Sequence, residues 1–145
     1  MLDNGIECTN GLYGGRHGKE SPLPGQGKVL VVDDDASLVK MLNIRLWAEG
    51  YETELALSGA AALALAAENP PDLILLDIAM PGVTGADVIE KLEASDNGRA
   101  IPIVIMTAYP QMLETVKGHP AVKECVVKPF DLPGLVARIK EILAA

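Results

Sequence analysis

The amino-acid sequence predicts an open, doubly wound α/β domain in which a five-stranded parallel sheet lies between helices. Short apolar runs without polar alternation are typical of parallel strands that are covered on both faces. Helical patterns separate these runs, and right-handed crossovers then place the carboxyl end of every strand at one edge of the sheet. Five runs are predicted as strands, at residues 28–32, 51–56, 73–76, 103–106 and 125–127, and the run at 51–56 is the weakest of them.

The helices are predicted from apolar spacing and from residues that begin or end a helix. Leucines at helical spacing predict a first helix that stops near Gly50. An alanine-rich stretch at residues 60–68 predicts the second helix, with Ser58 as its N-cap. Apolar residues between 135 and 143 predict the last helix, with Asp131 as its cap.

The connection after the fourth strand is interrupted by two prolines and a glycine. Proline cannot continue a helix, so Pro110, Gly118 and Pro120 leave only Gln111 to Lys117 free to be helical. We therefore expect this fourth of five helices to be short and mobile.

Composition excludes several classes of protein. The 145 residues are enough for one folded domain, and 49% of them are hydrophobic. A net charge of -8 argues against direct binding to nucleic acid or to an anionic membrane, since both are polyanions. No apolar run approaches the roughly 18 residues of a membrane-spanning helix. With only Cys8 and Cys125 and no apolar signal sequence, we expect a cytoplasmic protein.

The first 27 residues differ in composition from the rest. Half of the fourteen glycines lie between Met1 and Gly27, and the apolar residues there have no sustained period. This composition predicts a flexible N-terminal tail over residues 1–27, rather than a functional peptide, followed by one domain over residues 28–145.

Polar side chains follow the predicted strands at the edge where their carboxyl ends meet. Asp33 and Asp34 follow the first strand, Asp77 the third, Thr107 the fourth and Lys128 the fifth. Any one of them alone is explained by a helix cap or a turn, although Asp77 precedes a loop rather than a helix. Neighbouring carboxylates repel one another unless a cation neutralises them, and oxygen ligands favour Mg²⁺. Together with a lysine and a hydroxyl, they fit phosphoryl transfer to an aspartate.

Four runs resemble, in order and spacing, the receiver domains of bacterial two-component response regulators. The resemblance covers about residues 28–145 and implies a flavodoxin-like sheet of order 2-1-3-4-5. Because the pattern ends with the chain, we expect a stand-alone receiver. The runs are Val31-Val-Asp-Asp-Asp35, Leu75-Leu-Asp-Ile-Ala-Met-Pro-Gly-Val-Thr-Gly85, Thr107-Ala108 and Val127-Lys-Pro-Phe130.

The resemblance implies a role for each residue around a phosphoacceptor. A sensor histidine kinase or a phosphotransfer protein would donate phosphate to Asp77. Asp34, Asp77 and the backbone carbonyl of Ala79 would bind Mg²⁺ directly, while Asp33 would help through water. Lys128 would contact a phosphoryl oxygen.

The resemblance also implies a conformational switch. Thr107 would move its hydroxyl to the phosphoryl group, and Pro129 would follow a cis peptide bond. Cys125 stands where most relatives carry an aromatic residue, so switching is expected without the usual aromatic rotation. The family's output surface, used for a downstream protein target or for a homodimer, would comprise the fourth helix, the fifth strand and the last helix.

The residues at these positions distinguish three possible functions. A signalling receiver, which is no enzyme beyond its self-catalysed phosphorylation and dephosphorylation, fits every motif. A metal-dependent phosphohydrolase with an aspartyl nucleophile would normally carry a second aspartate at position 79, where Ala79 stands. A receiver-like interaction module that is not phosphorylated would lack one of Asp33, Asp34, Asp77 or Lys128, and all four are present.

Overall fold

The computed structural model describes residues 27–95 and 101–144, and strands alternate with helices along this part of the chain. The predicted N-terminal tail, apart from Gly27, lies outside the described residues. The strands are β1 (Lys28–Val32), β2 (Glu52–Ala56), β3 (Leu73–Asp77), β4 (Ile103–Thr107) and β5 (Val122–Val127). The helices are α1 (Ala36–Ala48), α2 (Gly59–Glu68), α3 (Gly85–Ala94), a 3-10 helix (Pro110–Thr115) and α4 (Leu132–Ala144).

The five strands form one parallel sheet in the order β2-β1-β3-β4-β5. This order confirms the predicted doubly wound, flavodoxin-like fold. The chain leaves β1 toward one edge strand, β2, and then returns to place β3 on the other side of β1. The strand order therefore reverses between β1 and β3, which is where α/β sheets of this kind bind ligands.

The sheet separates two apolar layers. Val29 and Val31 of β1 pack with α1 and α4, whereas Leu30 and Val32 pack with α2 and α3. Every residue of β3 and of β4 is buried. Both faces of the central strands are thus covered, which explains why their sequences lack polar alternation.

Ser58 and Asp131 cap the helices that the sequence predicts them to cap. The Ser58 side chain accepts a hydrogen bond from the amide of Ala61 at the start of α2. Asp131 Oδ2 accepts from the amide of Gly134 at the start of α4. Gly50 follows α1 with a φ of 98°, a left-handed conformation that glycine adopts without a steric penalty.

Within the described ranges, none of the helices combines the length and the apolar character that crossing a bilayer requires.

The connection between β4 and β5 contains the short helix that the sequence predicts, at Pro110–Thr115 where 111–117 was expected. It is a 3-10 helix, in which the amide of Met112 donates to the carbonyl of Tyr109 at 2.9 Å. None of its six residues is buried, although Val116 directly after it is fully buried. A segment this short, held by few core contacts, has little to resist a rearrangement.

The last strand also differs from the prediction, because β5 begins at Val122 and not at Cys125. Lys123 and Glu124 interrupt the apolar run and hide the start of the strand in the sequence. They are tolerated there because β5 is an edge strand and none of its residues is fully buried.

Candidate functional site

Three carboxylates meet at the carboxyl ends of β1 and β3. One oxygen from each of Asp33, Asp34 and Asp77 lies within 4.8 Å of the others. Asp33 is 0% and Asp77 4% exposed, while Asp34 faces solvent. Asp34 makes no hydrogen bond or ion pair within the described chain. The adjacent positions of β1 and β3 in the sheet bring these residues together.

The two buried carboxylates are held in the same way. Asp33 Oδ1 accepts a hydrogen bond from the amide of Asp35 at 3.0 Å. Asp77 Oδ1 accepts one from the amide of Ala79, also at 3.0 Å. Each contact joins a side chain to the backbone two residues later and fixes one oxygen. The second oxygen of each carboxylate is then turned toward Lys128.

Lys128 lies between these two second oxygens. Its Nζ is 2.6 Å from Asp33 Oδ2 and 3.6 Å from Asp77 Oδ2. The lysine is placed by the end of β5, where its backbone amide donates to the carbonyl of Thr107 at 2.7 Å. The following peptide bond, Lys128–Pro129, is cis. Residues that are far apart in sequence thus form one charged pocket.

The charge state of Lys128 is set by two opposing effects. Burial lowers the pKa of its ammonium, but the hydrogen bond and charge attraction from Asp33, with a contribution from Asp77, outweigh this and raise the pKa above its usual value. Lys128 is therefore a cation at neutral pH.

The remaining negative charge makes the pocket suitable for a hard cation. Three carboxylates face one ammonium, and the potential ligands are all oxygen atoms. Mg²⁺ prefers such ligands and usually keeps several waters, so the exposed position of Asp34 suits it. The donor set fits Mg²⁺.

The Thr107 side chain is fully buried and engaged with the following loop. Its Oγ1 accepts a hydrogen bond from the amide of Tyr109 at 2.9 Å. Its backbone carbonyl bonds to Lys128, so the fourth and fifth strands meet beside the acidic cluster. The Tyr109 side chain is 52% exposed and does not pack in the core.

Cys125 lies on β5, half-buried against the apolar layer that includes the 3-10 helix region. Burial raises the pKa of its thiol, and the nearby Glu124 adds to this effect, although Lys117 opposes it. A thiol with a raised pKa is a weak nucleophile at neutral pH. In this environment Cys125 packs as a small apolar side chain.

The loop after Asp77 is held by Thr84 and Gly85. Thr84 is the N-cap of α3 and forms a reciprocal capping box with Asp87. The pattern of a threonine followed three residues later by an acid is a recognised signal for this motif. Gly85 packs against Ile78, where a Cβ would come within 2.5 Å of a backbone atom. Glycine therefore lets the loop close behind Asp77.

The strand order and the acidic cluster define this chain as a flavodoxin-like domain with a charged pocket at its topological switch point. The model of the response regulator receiver domain family matches residues 29–140. The chain belongs to that family. Receiver domains are signalling domains that interact with histidine kinases or phosphotransfer proteins and bind Mg²⁺ at their aspartate cluster.

Two curated relatives are longer than this chain. The DNA-binding response regulator MtrA of Mycobacterium tuberculosis is 43% identical over 114 residues, which are 78% of this chain and 49% of that protein. The response regulator PleD of Caulobacter vibrioides is 39% identical over 116 residues, which are 79% of this chain and 26% of PleD. The chain thus spans about half of MtrA and about a quarter of PleD.

Solved structures give the same assignment. The chemotaxis protein CheY4 of Vibrio cholerae has a TM-score of 0.74 and 31% identity, with 81% of this chain and 99% of that one covered. The response regulator TrrA of Thermotoga maritima, solved in complex with Mg²⁺ and BeF, has a TM-score of 0.70 and 32% identity. That comparison covers 79% of this chain and 97% of TrrA.

We predict that the Asp33–Lys128 pair contributes to stability. Lys128→Met leaves the buried Asp33 carboxylate without its cation and should lower the free energy of unfolding by about 1–3 kcal/mol in urea titrations. Lys117→Met removes a lysine from an exposed pair with Glu114 and should change it by less than about 0.5 kcal/mol.

The double variant Asp33→Asn/Lys128→Met should recover part of the loss, because Asp77 is then the one buried carboxylate of the pocket without its cation, instead of Asp33 and Asp77 together. Since the pKa of Lys128 is raised, this stabilisation is complete below the unfolded-state pKa and is lost as the pH rises through the folded-state pKa. Equal effects of Lys117→Met and Lys128→Met at neutral pH would contradict the prediction.

Proposed function

We propose that this protein is the phosphoacceptor of a two-component phosphorelay, with residues 28–145 as the receiver and Asp77 as the phosphorylated residue. The observation that carries the proposal is the arrangement of Asp77 beside an ammonium and two further carboxylates at the switch point of the sheet. The phosphoryl donor is a sensor histidine kinase or a phosphotransfer protein.

The proposed reaction is transfer of a phosphoryl group to a carboxylate. An oxygen of Asp77 forms the new bond to phosphorus while the bond from phosphorus to the donor histidine nitrogen breaks. Its pair of electrons stays on that nitrogen, and the product is an acyl phosphate. The Ala79 amide fixes the Asp77 carboxylate, and Lys128, 3.6 Å away, places a positive charge where the phosphoryl oxygens arrive.

The proposed cofactor is Mg²⁺, held by Asp34, Asp77 and the Ala79 carbonyl, with Asp33 acting through water. When bound, it supplies positive charge that offsets the negative charge of the carboxylates and of the incoming phosphoryl group. Asp33 meanwhile keeps Lys128 in place through the contact of 2.6 Å. The protein's own part in the reaction is positioning and charge, so we propose no enzyme activity beyond self-catalysed gain and loss of phosphate.

The proposed switch is the hydroxyl of Thr107. It is bonded to the amide of Tyr109, so a move toward a phosphoryl oxygen requires the loop before the 3-10 helix to change. Cys125 has no aromatic ring that could rotate together with Thr107. A change between order and disorder in residues 111–117 is proposed to replace that ring rotation. The proposed output face comprises the 3-10 helix, β5 and α4, and it binds a downstream protein or a second copy.

We predict one acid-labile phosphate per chain after incubation with acetyl phosphate and Mg²⁺. Intact-mass spectra should show one added phosphate that hydroxylamine removes, and Asp77→Asn should abolish it. Asp72→Asn changes a carboxylate at the opposite end of the sheet, beside Lys28, and should be labelled like the wild type. Labelling of Asp77→Asn, or phosphate mapped to Thr107, would refute the assignment.

Magnesium should stabilise the folded protein, because it relieves repulsion among three carboxylates and binds the native state alone. The melting temperature should rise in millimolar Mg²⁺, and Asp34→Asn should reduce this rise. The matched control is Asp35→Asn, since Asp35 caps α1 and asparagine caps as well. An unaltered response in Asp34→Asn would place the metal elsewhere.

Amide hydrogen exchange should report the switch. With beryllofluoride as a phosphoryl mimic at Asp77, protection should change in residues 107–117. The change should disappear in Thr107→Ala and persist in Thr107→Ser, which keeps the hydroxyl. A change that survives in Thr107→Ala, or that is concentrated in α1 and α2, would show that the switch and the output face are wrongly assigned.

A further inference from the structure

The turn between β2 and α2 contacts both halves of the acidic site, although it contributes no carboxylate to it. The carbonyl of Ala56, the last residue of β2, accepts a hydrogen bond from the amide of Asp33 at 3.1 Å. Three residues later, Gly59 begins α2 and packs against Val83 in the loop that follows Asp77. The turn therefore contacts the segment after β1 and the segment after β3, which together form the acidic site.

The contact between Gly59 and Val83 is so close that no side chain fits between them. A Cβ on Gly59 would lie 2.5 Å from the carbonyl oxygen of Val83 and 2.9 Å from its Cβ and Cγ1. These distances are well below van der Waals contact, and one of them is to a backbone atom. Any larger residue at this position would push the loop away from α2.

Helix formation does not explain a glycine at position 59. Alanine, the best helix former, occupies six of the ten positions of α2, whereas glycine is among the poorest helix formers. The helix is already capped by Ser58, which accepts a hydrogen bond from the amide of Ala61. The missing side chain of Gly59 is matched instead to the close approach of the loop.

A short segment joins Val83 to Ala79, which takes part in the site. Ala79 donates its amide to Asp77 Oδ1 at 3.0 Å, and its carbonyl is one of the proposed ligands of Mg²⁺. Between them, Met80 packs in the apolar layer that α2 covers, and residues 81–82 are exposed. The contact of Val83 with α2 therefore holds the far side of this segment, and a displacement of Val83 reaches Ala79 through three residues.

We propose that Gly59 is a positioning residue for the cation site. It lets Val83 lie against α2, and this contact holds Ala79 beside the carboxylates. Gly59 itself is not a ligand. The inference rests on the proposed function, because Ala79 is a metal ligand only in the proposed Mg²⁺ site. It adds to that function a support from the turn between β2 and α2.

Gly59→Ala tests the proposal in the whole chain. Its affinity for Mg²⁺ is measured by NMR titration with the metal alone, well below the melting temperature, so that only folded protein is observed. Displacing a ligand through a neighbouring residue should weaken Mg²⁺ binding about tenfold. Before any metal is added, the amide signal of Ala79 should already shift, because its hydrogen bond to Asp77 changes.

Ala64→Gly is the matched control for a loss of stability. Ala64 is exposed on α2, and glycine there weakens the helix without adding an atom near the loop. This variant should lower the melting temperature and leave the Mg²⁺ affinity and the Ala79 signal unchanged. If Gly59 acts only on stability, Gly59→Ala will behave in the same way.

Val83→Ala provides the test if Gly59→Ala does not fold. It adds no atom and removes two methyl groups, one of which faces Gly59, from a residue that is only partly buried. The loop then loses part of its contact with α2, and the Mg²⁺ affinity should fall at least about twofold.

Three results would overturn the proposal. An Mg²⁺ affinity that is unchanged in Gly59→Ala, or in Val83→Ala where the first variant does not fold, would remove the role of Gly59 and leave the proposed function intact. An equal loss of affinity in Ala64→Gly would show that helix stability alone governs metal binding. A wild-type protein that does not respond to Mg²⁺ would overturn the proposed cation site and this inference with it.

Discussion

The contact of Lys128 with Asp33 and Asp77 is the constraint on which the rest of the site depends. Two buried carboxylates from neighbouring strands repel each other, and burial makes that repulsion costly. The neutralising ammonium comes from the end of β5, which is separated from β1 in the sheet by β3 and β4. The pocket therefore exists only when strands from both ends of the domain sequence are in register.

This arrangement leaves charge that the protein does not neutralise. One ammonium faces three carboxylates, and Asp34 remains exposed without a partner among the described residues. A domain selected only for stability has no reason to gather acidic groups in this way, because each costs free energy through repulsion. Oxygen ligands with excess negative charge suit a hard cation, and receiver domains, the family to which the chain belongs, bind Mg²⁺ at their aspartate cluster.

The domain combines a rigid centre with a weakly packed side. The central strands β3 and β4 are completely buried, whereas β5 has no fully buried residue and the 3-10 helix has none either. Thr107 lies at the boundary, because its side chain is buried and bonded to the first residues of the exposed connection. A change at the pocket can therefore reach the surface by rearranging few contacts.

The sequence by itself determined the fold class, the helix caps at Ser58 and Asp131, and the set of polar residues at one sheet edge. These features depend on local spacing and on strand direction, which the order of residues encodes. Only the tertiary structure decided that β5 begins at Val122, since an edge strand accepts polar residues that break its pattern. It also decided that Lys128 is nearer to Asp33 than to Asp77. Such distances follow from strand register and packing across the sheet, which no local pattern specifies.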